Sequence, residues 1–216
     1  MKKYIFLSLI VLLTSCNSIK NGKIAPGYTE AFASIKTLLY GFDDEIDSDI
    51  ISQIPYASMK VRIGNGPEAL MILESVNGDN HTWVSADEVY LVTNHGRIVK
   101  TQGLPNNLYE KLSTFESWNA SIAAKSEYVS YVSFRDPVLN NLKTVSKFSD
   151  MGMTVQNLTF FEKELLLIKE SITADLVGWN QENTYFIDEE NFVWRSVQHI
   201  SPKLPPISYE VTKKPR

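Results

Sequence analysis

The chain has 216 residues, 44% of them hydrophobic, and its 21 Lys and Arg against 25 Asp and Glu give a formal net charge of −4. A chain of this length buries about 70% of its unfolded surface on folding, so its core needs no disulfide or structural metal. Because no cluster of Lys or Arg lies within the body of the sequence, nucleic acid and anionic headgroups are excluded as expected partners.

The N-terminus has the pattern of an export signal. A cationic start at Lys2 and Lys3 precedes an apolar run over 4–13, and small residues then lead into Cys16. This order is typical of a secretory signal peptide, and the run is half of the roughly 20 residues that a membrane-spanning helix requires. The ending Leu13-Thr14-Ser15-Cys16 resembles the bacterial lipobox, whose cysteine is acylated and becomes the mature N-terminus.

Cys16 is therefore predicted to carry the lipid that holds the protein on a membrane. It is the single cysteine of the sequence, so neither an internal disulfide nor a Cys-based metal site is expected. Asn17 follows it, and the absence of Asp there favours the outer membrane, with the body facing the periplasm. Two alternatives stay open: an ordinary signal with a chance cysteine at the cut, or a true membrane anchor.

Three segments follow from this interpretation: a lipoprotein signal peptide over 1–15, a flexible tether over 16–27 and a single β-rich domain over 28–212. The tether is predicted because residues 17–27 are polar and contain two Gly and one Pro. At the start of the domain, apolar residues recur at steps of four and three from Tyr28 to Phe42. They predict an N-terminal helix packed on a sheet, with a docking helix for a partner as the alternative.

From residue 58 onward, short predicted strands alternate with turn signals. The turns at 64–67, 77–79 and 94–96 each contain Asn and Gly, which tolerate positive φ and mark hairpins. Strands at a spacing of about ten residues predict a meander in a barrel or sandwich. The strands predicted here are Ser58–Ile63, Ala69–Val76, Thr82–Ser85, Val89–Thr93 and Arg97–Gln102.

The second half is less regular at first, with a short helix predicted around Trp118 within 110–125. Gly178-Trp179-Asn180 is predicted as a turn. Within 165–177 apolar and polar residues alternate with period two, so one face is buried and the other is wet. Glu170 falls on the apolar face, where it is either paired inside the protein or placed where that face opens to water. The strands predicted here are Tyr128–Phe134, Thr154–Phe161, Leu165–Val177, Thr184–Asp188, Phe192–His199 and the edge strand Ile207–Thr212.

These elements predict a mainly β fold: a single antiparallel barrel-like or sandwich domain with an N-terminal helix. No pattern predicts a metal or cofactor site. The acidic run over 43–49 lacks the central Gly and terminal Glu of a calcium loop and is predicted to be a solvated loop. His81, His95 and His199 are isolated in the sequence. The Gly64–Ala69 segment matches G-x-G-x-x-A, but a hairpin is the preferred interpretation.

Carboxylates and aromatic residues supply the candidate chemistry. Asp87-Glu88 and 188–190 lie near aromatics, but a glycosidase needs two carboxyl groups roughly 5–9 Å apart across a cleft, which a sequence does not show. Flat aromatic faces beside polar side chains suit a sugar ring, so Trp83 with Asp87 and Trp194 with Arg195 are candidate contacts. The alternative for these tryptophans, and for Trp118 and Trp179, is ordinary sheet packing.

Several segments in a fixed order resemble the YjbF/GfcB-type lipoproteins, often called group 4 capsule lipoproteins. The likeness covers about residues 28–206. Cys16 falls at the family's lipidated cysteine, and Arg97 and Tyr185 lie within matching segments and join Asp188 and Glu170 as candidate contacts. The matching segments are Ile54–Met59, the GNGPEA hairpin at 64–69, Trp83–Asp87, Thr93–Leu104, Asn183–Asp188 and Val193–Gln198.

The resemblance implies a mostly β, barrel-like fold and a role in making or exporting surface polysaccharide beside other envelope proteins. It implies no catalytic residue. The leading hypothesis is a non-enzymatic outer-membrane lipoprotein for capsule or exopolysaccharide assembly, which binds glycan or a protein of the export machinery. The alternatives are a periplasmic polysaccharide-modifying enzyme that uses paired carboxylates, and a purely structural partner of an outer-membrane protein.

Overall fold

The structure is a computed structural model that describes residues 46–111, 118–124, 126–135 and 138–215. The predicted signal peptide, Cys16, the tether and the helix over 28–42 lie outside these residues. Within the described ranges, no helix is long and apolar enough to cross a membrane.

Strands make up most of the described chain. Two helices, α1 (Ser48–Ser52) and α2 (Trp118–Ala124), and a 3₁₀ turn at Asp175–Val177 accompany them. The strands are β1 (Ser58–Ile63), β2 (Glu68–Asn77), β3 (Asn80–Ser85), β4 (Tyr90–Asn94), β5 (Arg97–Gln102), β6 (Leu108–Lys111), β7 (Tyr128–Phe134), β8 (Leu139–Asn157), β9 (Glu162–Ala174), β10 (Trp179–Ile187), β11 (Val193–Gln198) and β12 (Ile207–Lys213).

The strands form one closed barrel in which each strand is antiparallel to its neighbours in sequence. The ring closes where β1 pairs with β12, with Val61 opposite Tyr209. Of the two predicted architectures, barrel and sandwich, the structure is therefore the barrel. The prediction of β12 as an edge strand is wrong, because β1 and β11 pair with its two sides.

Alternation along each strand places the core inside the barrel. In β7, Tyr128, Ser130, Val132 and Phe134 are buried, and the residues between them are half-buried or exposed. This period of two is the strand signature that the sequence carries. The predicted bounds of β1, β5 and β7 match the structure.

The β4–β5 turn packs against β11 and β12 on the other side of the barrel. His95 and Gly96 both have positive φ, at 47° and 85°. A Cβ on Gly96 would lie 2.4 Å from Cβ of Val193, so only glycine fits. The Gly96 carbonyl accepts hydrogen bonds from Gln198 Nε2 at 2.9 Å and from the Tyr209 hydroxyl at 2.5 Å. The turn is thereby attached to β11 and β12.

The largest difference from the predicted elements lies between residues 139 and 161. One strand of 19 residues, β8, occupies 139–157, whereas the predicted strand 154–161 covered only its end. Residues 158–161 instead form the turn into β9, closed by a 2.9 Å hydrogen bond from Leu158 N to the Phe161 carbonyl. From residue 149 onward no side chain of β8 is buried, so no apolar alternation marks the strand.

Smaller corrections have local causes. The four-residue β6 is too short to show a pattern, and it takes residues 110 and 111 from the predicted helix, which begins at Trp118. Trp179 starts β10 rather than forming a turn, because Gly178 alone adopts the left-handed conformation, with φ 63°. The acidic run is not all loop: Asp47 is the N-cap of α1 and accepts a hydrogen bond from Asp49 N at 2.9 Å.

Candidate functional site

Three predicted candidates meet inside the barrel: Arg97 on β5, Glu170 on β9 and Tyr185 on β10. Arg97 Nη1 donates to Glu170 Oε1 at 2.5 Å, and the Tyr185 hydroxyl donates to Glu170 Oε2 at 2.7 Å. Arg97 Nε also donates to both carboxylate oxygens of Glu110 on β6, at 3.1 and 3.3 Å. All four side chains are buried. Glu170 is thus paired inside the protein, which is one of the two environments predicted for it.

Each oxygen of Glu170 accepts two hydrogen bonds. The Ser146 hydroxyl shares Oε1 with Arg97, and Asn183 Nδ2 shares Oε2 with Tyr185 at 2.9 Å. Burial by itself would raise the pKa of Glu170, but the Arg97 guanidinium and these hydrogen bonds outweigh burial and hold that pKa below its ordinary value. The carboxylate is therefore ionised at neutral pH and has no proton to donate.

The space around this network is filled. The Trp118 ring on α2 packs against Tyr185 with the ring centroids 4.8 Å apart, and its Nε1 donates to the Asn94 carbonyl at 3.0 Å. The cavity beside Arg97 and Glu110 measures about 10 Å³, near the lower limit for a single water molecule. A sugar residue does not fit there, so the network links five strands, β5, β6, β8, β9 and β10, rather than binding a ligand.

Asp188 and Trp194 bind one another across the β10–β11 turn. Trp194 Nε1 donates to Asp188 Oδ2 at 2.8 Å, while Asp188 Oδ1 accepts the backbone N–H groups of Glu190 at 3.0 Å and Phe192 at 2.9 Å. Phe161 and Phe192 pack edge-on against the Trp194 ring, with centroids 5.2 and 5.1 Å away. With Trp194 only 8% exposed, the pair stabilises the turn and leaves little aromatic face for a sugar.

Arg195 connects three strands. Its guanidinium donates to the Glu210 carboxylate, to the Asn157 carbonyl at 2.8 Å and to Gln156 Oε1 at 3.1 Å. Burial would raise the pKa of Glu210, but hydrogen bonds from Arg195 and Thr159 hold that pKa below its ordinary value. Arg195 thus links β8, β11 and β12.

Trp83 and Asp87 occupy different environments. Trp83 on β3 is 2% exposed, and its Nε1 donates to Thr93 Oγ1 at 3.0 Å. Asp87 lies in the exposed β3–β4 turn and makes no hydrogen bond or ion pair with the other residues that the structure describes. The two are not combined into one aromatic and acidic site.

A cleft of about 190 Å³ adjoins Trp83, and its lining includes both His81 and His95. His95 Nε2 lies 3.5 Å from Asp79 Oδ2. Burial, and secondarily the nearby His95, lower the pKa of His81. The sequence shows these histidines as isolated, but the β3–β4 register places His81 opposite Thr93, beside the turn that carries His95. Over the described ranges, no three His, Cys, Asp or Glu residues are placed to hold a metal ion.

A larger groove, about 720 Å³ in volume, lies at the ends of β5 and β7 and the starts of β6 and β8. We call it the cation groove. None of its residues is a sequence-predicted candidate, because Lys100 on β5 and Arg135 after β7 become neighbours of one space only through the barrel. The lining residues that bear on its chemistry are Lys100, Gln102, Asn107, Tyr109, Arg135 and Asn140.

Together, the fold and these sites define a class of small antiparallel barrel proteins with a buried, charge-paired network inside the barrel and a larger groove between strand ends. A model of the family described as "Group 4 capsule polysaccharide lipoprotein gfcB, YjbF" matches residues 31–211. The chain belongs to this family, as its motifs predicted.

Known relatives and a solved structure agree with that assignment. The chain is 24% identical to the lipoprotein YjbF of Escherichia coli (strain K12), over 99% of this chain and 98% of that protein. It is 25% identical to the lipoprotein GfcB of the same strain, over 64% of this chain and 66% of that protein. The crystal structure of the lipoprotein YmcC from Escherichia coli (K12) has a TM-score of 0.70 at 20% identity, covering 90% of this chain and 98% of that one. That likeness shows the fold. The family places the chain among capsule-associated lipoproteins of the cell envelope.

Proposed function

We propose that this protein is an acylated outer-membrane lipoprotein that faces the periplasm and serves capsule or exopolysaccharide assembly without catalysing a reaction. It binds glycan or a protein of the export machinery. Residues 1–15 are its signal peptide, Cys16 carries the lipid, 16–27 are the tether and 28–212 form the working body. Family membership supports the setting, and the paired state of the buried carboxylates supports a binding role over an enzymatic one.

The pairing of the buried carboxylates is the observation that carries this proposal. A glycosidase needs a general acid and a second carboxylate on the two sides of a substrate cleft. Glu110 and Glu170 both bind Arg97, and the cavity beside Arg97 and Glu110 measures only about 10 Å³. Asp188 is occupied by Trp194 and the backbone of its turn. These carboxylates maintain the barrel, and recognition takes place on its outside.

The candidate contacts divide accordingly. Arg97, Glu170 and Tyr185 support the barrel from within. Trp83 contributes through the cleft that it shares with His81. Asp87, in the exposed β3–β4 turn, and the half-buried Arg195 are within reach of a partner or glycan. Asp188 and Trp194 stabilise the β10–β11 turn.

Gene deletion with complementation tests the function. We expect deletion to reduce surface polysaccharide, wild-type complementation to restore it, and Cys16→Ser to give a folded body that is released into the soluble periplasmic fraction. Circular dichroism of the released body serves as the folding control. An unchanged polysaccharide coat after deletion would refute the role, and tight membrane association of the Cys16→Ser chain would refute the anchor.

A further inference from the structure

The cation groove has the size and position of a ligand site. Its volume of about 720 Å³ lies within the range of about 300–1,000 Å³ that is usual for small-molecule sites. It is formed at the ends of β5 and β7 and the start of β6, and its lining includes the exposed residues Lys100, Gln102 and Tyr109. A ligand can therefore enter it without opening the barrel.

Two cations in this groove have no partner among the residues that the structure describes. Lys100 and Arg135 are both exposed, and neither forms an ion pair or hydrogen bond with any other residue in the described part of the chain. The described lining contains no carboxylate, although the chain as a whole is acidic, with a net charge of −4. The groove is thus a local positive region on an acidic protein, which favours an anionic ligand.

The neutral residues of the groove match a saccharide. Asn107 Oδ1 accepts hydrogen bonds from Leu104 N at 3.0 Å and from Thr101 Oγ1 at 3.4 Å. Because a backbone N–H only donates, these contacts fix the orientation of the amide and direct its Nδ2 group elsewhere as a donor. Gln102 and Asn140 add exposed amides. Amide groups of this kind bind sugar hydroxyls as both donors and acceptors.

An aromatic ring completes the set. Tyr109 is paired with Lys100 on β5 and with Ser133 on β7, and 57% of it is exposed. An exposed aromatic face is suited to the apolar face of a sugar ring. Base stacking along a nucleic-acid strand uses successive aromatic side chains, whereas the described lining offers one exposed ring beside two cations and three amides.

From these features we propose that the cation groove binds an acidic polysaccharide segment. Lys100 and Arg135 contact its carboxylate groups, and Tyr109 and the amides contact the sugar rings. Charge-assisted hydrogen bonds to the two cations supply most of the selectivity, because they are stronger than the neutral ones. This inference rests on the proposed function and names the class of glycan that the protein recognises.

Binding to the purified, acylated protein in neutral detergent tests the proposal. The probes are an oligogalacturonate of defined length and a maltooligosaccharide of the same length, measured by calorimetry. We expect the acidic probe to bind, with an affinity that falls as salt is added, and the neutral probe to bind at least tenfold more weakly. The double variant Lys100→Gln with Arg135→Gln should lose roughly tenfold or more of the affinity for the acidic probe.

A matched control separates the groove from overall charge. The double variant Lys143→Gln with Lys203→Gln also removes two positive charges, but from exposed positions outside the groove lining. It should retain wild-type affinity. Equal losses in the two double variants, equal binding of the two probes, or no binding of the acidic probe each overturn the proposal.

Two further arms identify the source of the anion. Inorganic phosphate alone should bind far more weakly than the oligosaccharide, and vesicles of anionic phospholipid should bind wild type and groove variant alike. Vesicle binding that depends on Lys100 and Arg135 would make the ligand a headgroup and overturn the proposal. If deletion removes the polysaccharide coat but the groove variant restores it fully, the groove proposal fails while the proposed function stands.

Discussion

Arg97 and Lys100 lie three residues apart on β5, yet they occupy opposite environments. Arg97 is 4% exposed and is held between Glu110 and Glu170. Lys100 faces the cation groove and has no ion-pair partner among the described residues. Because successive side chains of a strand point to opposite faces, one short strand supplies both a cation that maintains the barrel and a cation that is available to a ligand.

The comparison shows where to look for function in this fold. A strongly perturbed pKa often marks a functional residue, but the lowered pKa of Glu170 has a structural cause: Arg97 and three hydrogen-bond donors stabilise its charged form despite burial. A buried charge requires partners, since leaving one uncompensated costs several kcal/mol. An exposed cation has no such requirement, so an unpaired one in a groove is the more informative signal here.

Removing Glu170 should produce the largest effect on stability. Glu170→Ala removes one of the two carboxylates that bind the Arg97 guanidinium, and it removes the acceptor of the Tyr185 hydroxyl. The free energy of unfolding should therefore fall by about 3–5 kcal/mol. Glu182→Ala is the control, because that carboxylate is exposed and its 2.7 Å contact with Lys169 is a surface pair worth less than about 1 kcal/mol. Urea unfolding measures both. Losses of similar size would show that the interior network is not what maintains the barrel.

Gly96→Ala should have the next-largest effect on stability, because Gly96 lies close to β11. Gly96→Ala combines a strained φ of 85° with a Cβ placed 2.4 Å from Val193, for an expected loss of roughly 2–4 kcal/mol. Gly78→Ala is matched to it, with φ 58° and no neighbour within 4 Å, so it should cost only about 1 kcal/mol of backbone strain. Thermal unfolding compares them. If the two variants are equally stable, the contact between the β4–β5 turn and β11 does not hold the walls together.

The pH dependence of the free energy of unfolding should distinguish the buried partner of Arg97, Glu170, from the exposed Lys100. The folded pKa of Glu170 lies below the unfolded one, so its contribution is fully present above the unfolded pKa, about 4.5, and is lost as pH falls through the folded pKa. Urea unfolding from pH 7 to pH 3 should therefore show a steeper acid loss in wild type than in Glu170→Gln. Lys100→Gln should keep the wild-type slope, because Lys100 lies outside the Glu170 network. An unchanged slope in Glu170→Gln contradicts the assignment of the ionised state.

The sequence predicts the barrel well because local patterns specify it. Alternation in β7 and the Asn- and Gly-containing turns give strand positions from neighbouring residues alone. Alternation does not predict the full length of β8, since none of its residues from 149 onward is buried. Alternation does not predict the short β6 either, because four residues are too few to show a period.

The sites are less predictable because their members are distant in sequence. Glu170 on an apolar face predicts a buried partner, but Arg97 lies 73 residues away and only the barrel register identifies it. Trp83 and Trp194 are recognisable as aromatic residues, but their burial depends on which strands flank them. Lys100 and Arg135 have no local pattern at all, since closure of β5, β6 and β7 brings them to one groove.

The smallest expected effect provides the sharpest check on the comparison. Both cations of the cation groove are exposed and unpaired among the described residues, so Lys100→Gln with Arg135→Gln should change the free energy of unfolding by no more than about 0.5 kcal/mol. Arg97→Gln, by contrast, removes the cation between two buried carboxylates and should destabilise the fold severely. A groove variant that unfolds as wild type does but fails to bind acidic saccharide separates recognition from stability on a single strand. If it loses more than about 1 kcal/mol, these cations have a structural partner, and the division between the inner and outer faces of β5 is wrong.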